Sequence, residues 1–239
     1  MPLAGACLFI RAGHPDSDTH TRHKSLGMPL PAQRTSPHRL IAGMCFTLAA
    51  TGVNAETTGP SFDCAKASSQ AEDLICADAA LATLDRRLAL RFGAALEAAG
   101  NIEDDTENAR TTLRAMQRGW IKGRDECWKA QDVRGCVERD YLTREGQLVA
   151  AWMLETPLAT VTYTCEDNPA NEVTAYFFDT ELPSIRVEYG DSVAVGSLEP
   201  AASGSRYAIE FGGIFWTKGD SAVFEWRAGD PMSCTAITR

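Results

Sequence analysis

Apolar positions along this chain change period once, near Thr156-Pro157. Before that point they recur at steps of three and four. Leu81, Leu84, Leu88, Phe92 and Leu96 form one stripe, Leu113, Met116 and Trp120 a second, and Val137, Tyr141, Leu148 and Trp152 a third. That spacing places side chains on one face of a helix and predicts three helices packed as a small bundle. Ser69 followed by Glu72 fits a capping box, in which each side chain satisfies a free backbone donor. Gly100 and Asn101 stop the first helix. Glu103, Asp104 and Asp105 suit the start of the next, where the macrodipole is positive. After Pro157 the period is two, as in Val161-Tyr163-Cys165, Val173-Ala175-Phe177, Ile185-Val187, Val193-Val195, Tyr207-Ile209-Phe211 and Ala222-Phe224-Trp226. Gly, Asn, Asp and Pro punctuate these runs. Seven or eight short antiparallel strands in about 80 residues predict a closed barrel or a small sandwich, and closure removes exposed sheet edges. The expected architecture is therefore α+β with two domains: a helical bundle over 56–155 and a β domain over 158–239.

Residues 1–55 read as a leader rather than as fold. Arg34 to Arg39 is a basic stretch, Leu40 to Thr51 is a short apolar run, and Val53-Asn54-Ala55 resembles a cleavage site. Met28 is an alternative start. The apolar run is too short to span a bilayer, and Met44 before Cys45 argues against a lipoprotein anchor. A soluble, periplasmic product without a stable membrane span is expected, beginning near Glu56.

This cut carries chemical consequences. All four histidines (His14, His20, His23 and His38) precede it. Histidine acid/base catalysis, Ser-His-Asp or Cys-His nucleophiles and histidine metal sites are thereby excluded. No metal or other cofactor is expected. Six of the eight cysteines remain, an even number that implies disulfides in an exported chain. Cys64 and Cys76 flank the start of the first helix, and Cys127 and Cys136 flank the turn between the last two. We pair them accordingly, because their spacings do not match zinc-ligand pairs. Cys165 on the first strand and Cys234 on the last would tie the ends of the sheet together. Asp78, Asp85, Arg124 and Asp125 read as helix caps or paired surface charges, and Trp120, Tyr141 and Leu84 as core.

The formal net charge is −9, which argues against nucleic acid as a partner and for a cationic one. The C-terminal half is the more acidic, with 12 acids against 5 bases over 156–239.

One stretch combines turn chemistry with candidate binding groups. Ser203-Gly204-Ser205-Arg206-Tyr207 and Phe215-Trp216-Thr217-Lys218-Gly219-Asp220 read as two strands joined by Gly212-Gly213. That loop would set Phe211 opposite Ile214, Ile209 opposite Trp216 and Tyr207 opposite Lys218. Ser203 and Lys218 would then share one end of the hairpin, a hydroxyl beside an ammonium on an aromatic base. Ser-Gly and Lys-Gly-Asp are also ordinary turn sequences, so spacing alone leaves both readings open.

Two resemblances bear on the choice. Phe62-Asp63-Cys64-Ala65-Lys66-Ala67, Glu72-Asp73-Leu74-Ile75-Cys76-Ala77-Asp78 and Leu84-Asp85 resemble the N-terminal domain of LprI-type lysozyme inhibitors. Gln117-Arg118-Gly119-Trp120, Arg124-Asp125-Glu126-Cys127, Cys136, Tyr141 and Arg144 fit its second half. Over about 160–236, Tyr163-Thr164-Cys165, the SGxxY of 203–207, the WxKGxxA of 216–222 and Cys234 resemble the MliC/PliC inhibitors of C-type lysozyme. That resemblance implies an eight-stranded antiparallel barrel whose motif residues Ser203 and Lys218 enter the lysozyme cleft. Gly204, Arg206, Tyr207 and Gly219 complete the binding motif. The competing readings are a non-inhibitory module for a cell-wall glycan or envelope protein, and a hydrolase using carboxylates such as Glu166 and Asp167.

Overall fold

A computed structural model describes residues 59–102 and 105–237. The leader and the acidic pair Glu103-Asp104 lie outside the described residues. All described residues belong to one compact unit.

The helical part has four helices, not three: α1 (Gln70–Ala77), α2 (Ala79–Gly100), α3 (Thr106–Asp125) and α4 (Val133–Trp152). Asp78 makes the additional break. Its backbone N–H closes α1 on Leu74, while its carboxylate accepts from the N–H groups of Ala80 and Leu81 and so starts α2. At the start of α1, Ser69 Oγ accepts from the Glu72 N–H at 3.2 Å. The return bond reaches one residue further back than expected, from the Ser68 N–H to the Glu72 carboxylate at 2.7 Å.

The apolar stripes meet in a core that includes Ile75, Leu81, Leu88, Leu113, Val137, Tyr141 and Leu148. Met116 departs from its stripe and is 42% exposed. Asp85 and Arg124 also depart from expectation, since they are buried at 7% and 3% exposure. They are held by a chain of hydrogen bonds in which Arg124 donates to Tyr141 Oη at 2.9 Å and Tyr141 donates to Asp85 at 2.8 Å. The Ser61 N–H satisfies the other Asp85 oxygen, and Arg124 also pairs with Asp125 at 2.6 Å. Asp85, Tyr141 and Arg124 thus each have partners, which is what makes their burial tolerable. Trp120 packs edge-on against Tyr141, with ring centroids 5.2 Å apart. Disulfides join Cys64 to Cys76 and Cys127 to Cys136.

The remaining chain forms eight antiparallel strands: β1 (Ala159–Cys165), β2 (Asn168–Phe178), β3 (Ser184–Tyr189), β4 (Ser192–Glu199), β5 (Ser205–Ile209), β6 (Gly213–Lys218), β7 (Ser221–Glu225) and β8 (Met232–Ala236). Sequential strands pair, and β8 returns to β1 to close the barrel. Cys165 lies directly opposite Cys234 across that seam, and the two are bonded. Inward positions carry Tyr163, Val173, Ile185, Val187, Phe215 and Phe224. Edge-on aromatic contacts stiffen the interior, such as Tyr163 on Phe215 at 5.4 Å and Tyr189 on Phe224 at 5.4 Å.

Helix α4 is buried on two sides. Val137, Tyr141 and Leu148 face the other helices, while Val149 and Ala150 pack on Phe178 and Val195 of the barrel. Charged groups frame this contact: Arg87 pairs with Glu145 at 2.6 Å and Glu181 at 2.7 Å, and Arg91 bridges Glu145 and Glu155. Arg186 of β3 donates to the Ala151 carbonyl at 2.8 Å, near the end of α4, where a cation complements the helix dipole.

Candidate functional site

The β5–β6 hairpin turns at Glu210–Gly212, where Phe211 (φ 62°) and Gly212 (φ 76°) have left-handed backbones. The register therefore differs from the one inferred from a Gly212-Gly213 loop. Tyr207 lies opposite Phe215, Ile209 opposite Gly213, and Arg206 opposite Trp216. Residues directly opposite share a face of the sheet. Tyr207 and Ile209 are core, whereas Trp216 and Lys218 face outward, so the inferred register would have mixed the faces. Glycine opens β6 at position 213, where a Cβ would lie 2.6 Å from the Glu225 carbonyl oxygen.

The other end of the hairpin still brings Ser203-Gly204 to Lys218. Gly204 has φ +69°, and a Cβ on it would lie 2.3 Å from the Thr217 oxygen and 3.2 Å from Lys218 Cβ. Both the backbone angle and the space thus require glycine. The Trp216 indole N–H donates to the Ser203 carbonyl at 2.9 Å and ties the segment before β5 to β6. On the far side, Lys218 pairs with Ser221 across the two-residue turn Gly219-Asp220, with Gly219 at φ +59°. Thr217, between the two outward side chains, lies 3.3 Å from the buried Tyr163 hydroxyl.

Ser203, Lys218 and Gly219 are exposed. Tyr207 is 6% exposed and packs on Phe177, so it supports the hairpin from inside. Burial raises its hydroxyl above the ordinary tyrosine range. Arg206 sits on the outer face, ion-paired with Glu199.

Lys218 is the only lysine in 156–239. The described arginines of the barrel are engaged: Arg186 with Glu188, Arg206 with Glu199, and Arg227 stacked over Phe211 and Trp226. Among the described residues Lys218 makes no ion pair. It lies next to the two-residue turn Gly219-Asp220, in a segment with 12 acids against 5 bases over 156–239.

Among the described residues, the grouping of metal-type side chains is Cys127, Cys136 and Asp140. The two cysteines are bonded to each other, which leaves one carboxylate and no thiolate to hold an ion. No described helix is long and apolar enough to cross a membrane.

Two family models match the chain in the order of its two parts. The family described as lysozyme inhibitor LprI matches residues 64–156. The family described as membrane-bound lysozyme-inhibitor of c-type lysozyme, MliC, matches residues 163–233. The chain is also 31% identical over 172 residues to the proteins named lipoprotein LprI of Mycobacterium tuberculosis and Mycobacterium bovis, covering 70% of this chain and 81% of each relative. That stretch is too long to lie within the helical match alone.

Proposed function

We propose that this chain, which belongs to the LprI family of lysozyme inhibitors, inhibits C-type lysozyme by placing the Ser203/Lys218 end of its β5–β6 hairpin in the active-site cleft. The observation that carries this reading is the exposed Lys218 ammonium, which has no ion-pair partner among the described residues, on a barrel whose described arginines are engaged. Lysozyme cleaves glycan with one protonated and one ionised carboxyl group. An ammonium offers three donors and the charge a carboxylate attracts, and the Ser203 hydroxyl donates to one carboxyl oxygen or accepts from the protonated one. No reaction is required, only occupation of both carboxyls and exclusion of substrate.

Preorganisation favours binding here. Gly204 and the Trp216–Ser203 bond hold the segment in place, so little loop ordering opposes association. The excess of acid over 156–239 draws a basic enzyme at long range, which speeds association and makes it salt-sensitive. We assign the barrel over 158–239 to inhibition and the helical part over 56–155 to its support. The protein acts in the periplasm after export.

The test is turbidity clearance of a cell suspension by hen egg-white lysozyme in the presence of residues 56–239. Inhibition is expected, and Lys218→Ala should weaken it about thirtyfold or more, the ~2 kcal/mol lower range for truncating one member of a desolvated charge pair. Lys129→Ala in the helical part should leave it unchanged. Full lysis at micromolar protein would point instead to a non-inhibitory envelope-binding module, and glycan release without added lysozyme to a hydrolase.

A further inference from the structure

The surfaces of α4 and the barrel do not close completely. A cavity of about 140 Å³ remains between α3 and α4 on one side and β3, β4 and the Glu210–Gly212 turn on the other. Its walls are mainly apolar, with Leu113, Met116, Leu148 and Trp152 from the helices and Val195 and Phe211 from the barrel. An apolar cavity of about this size accepts a benzene-sized guest.

One charged group in the lining makes no ion pair among the described residues. Arg144 is 6% exposed; its Nε donates to Gln117 at 3.0 Å and Nη1 to Gln147 at 3.3 Å, both neutral acceptors. Its Nη2 is buried without a partner among the described residues. Burial pulls the guanidinium down to about 10, so it remains charged at neutral pH. A buried charge held only by neutral groups is costly.

The other charges facing the cavity do not meet the need. Arg186 is committed to Glu188 and Ala151, and Arg227 stacks on Phe211 and Trp226. Asp191 is exposed in the β3–β4 turn. Glu210 takes a hydrogen bond from the Val195 backbone and attracts Arg144 through space, but among the described residues it does not come close enough to form an ion pair with it. Burial also pushes its carboxyl up from the ordinary range. Among the described guanidinium groups of the lining, Arg144 thus has neither an ion pair nor an aromatic face to stack on.

We propose that this cavity binds a small organic acid, its carboxylate paired with Arg144 and its apolar body lying between Met116, Trp152 and Phe211. A water molecule would satisfy Nη2 but supply no ion pair, whereas a carboxylate supplies the acceptor and the charge together. The site lies at the opposite end of the hairpin from Lys218 and does not rest on the lysozyme reading.

The test is titration of residues 56–239 with benzoate, read by calorimetry and by amide chemical shifts. One saturable site per chain is expected, with shifts at 144–152 and 210–212. Benzyl alcohol, neutral and similar in shape, should bind at least tenfold more weakly. Arg144→Met should remove that preference. Should Arg144→Met fail to fold, Met116→Trp fills the cavity from an exposed position and should weaken benzoate at least tenfold. Absence of saturable binding, equal binding of acid and alcohol, or benzoate binding unchanged in Met116→Trp would overturn the proposal.

Discussion

In the helical part the two disulfides join residues 12 and 9 apart, whereas in the barrel one disulfide joins residues 69 apart. The interiors differ in the same sense. Helices α1 to α4 enclose a charged network, Asp85–Tyr141–Arg124–Asp125, while the barrel encloses aromatic rings. The helical part is thus pinned by short staples and by polar groups that must all be satisfied. The barrel is pinned by closure of its first strand on its last. A closed sheet supplies a rigid end on which to mount Ser203 and Lys218, and a bundle end built of loops would not hold them as firmly.

The sharpest attack on this contrast is at the barrel seam. Cys165→Ser should cost about 4 kcal/mol on the chain-entropy model, seen as a large fall in melting temperature. An unchanged melt would show that the seam is not what closes the sheet. The equivalent blow to the helical part is Tyr141→Phe, which strands Asp85 and Arg124 together. A loss of about 2–3 kcal/mol in denaturant unfolding is expected from the unsatisfied groups, and a neutral outcome would show that the network is dispensable. Gly204→Ala should cost about 1–3 kcal/mol through its positive φ and the clash with the Thr217 carbonyl. It should also lower lysozyme inhibition by more than its effect on the melt would explain, and full inhibition would detach the tip geometry from function.

The smallest effect concerns Asp78. The Leu81 N–H, and then Arg134, hold its carboxyl below the usual range in the folded state. Such a group stabilises the fold above its unfolded pKa, and that contribution is lost as pH falls through the lower folded value. Asp78→Asn keeps a capping oxygen but not the charge. It should therefore flatten the acid side of the melting curve below about pH 4, and a curve superimposable on the unmodified protein would exclude the effect.

Several features are legible in the chain itself. The stripe of Leu81, Leu84 and Leu88 and the alternation through Val173-Ala175 report burial patterns that depend only on local geometry. The cysteine pairs expected from the seams of the bundle and from the first and last strands are all three formed. Asp78 reads as a cap and is one, but its power to break a helix in two is hidden, because an N-cap and a mid-helix Asp look alike in sequence. Asp85 and Arg124 read as surface charges because an ion is expensive to bury. What reverses the outcome is Tyr141, which arrives from α4, 56 residues beyond Asp85, to link them. The Arg144 cavity has no signal at all in the chain, since its lining comes from α3, α4, β3, β4 and a turn.

Residue type and near-neighbour period are enough to establish that a helical bundle precedes a small β domain and that no histidine follows His38. Each of these is a local property, so the linear order of residues carries it whole. The hairpin register and the second buried face of α4 are different, because they depend on partners distant in the chain. A period of two fits several registers until the barrel fixes which side chains face inward. A helix shows its second buried face only when the sheet that covers it is in place.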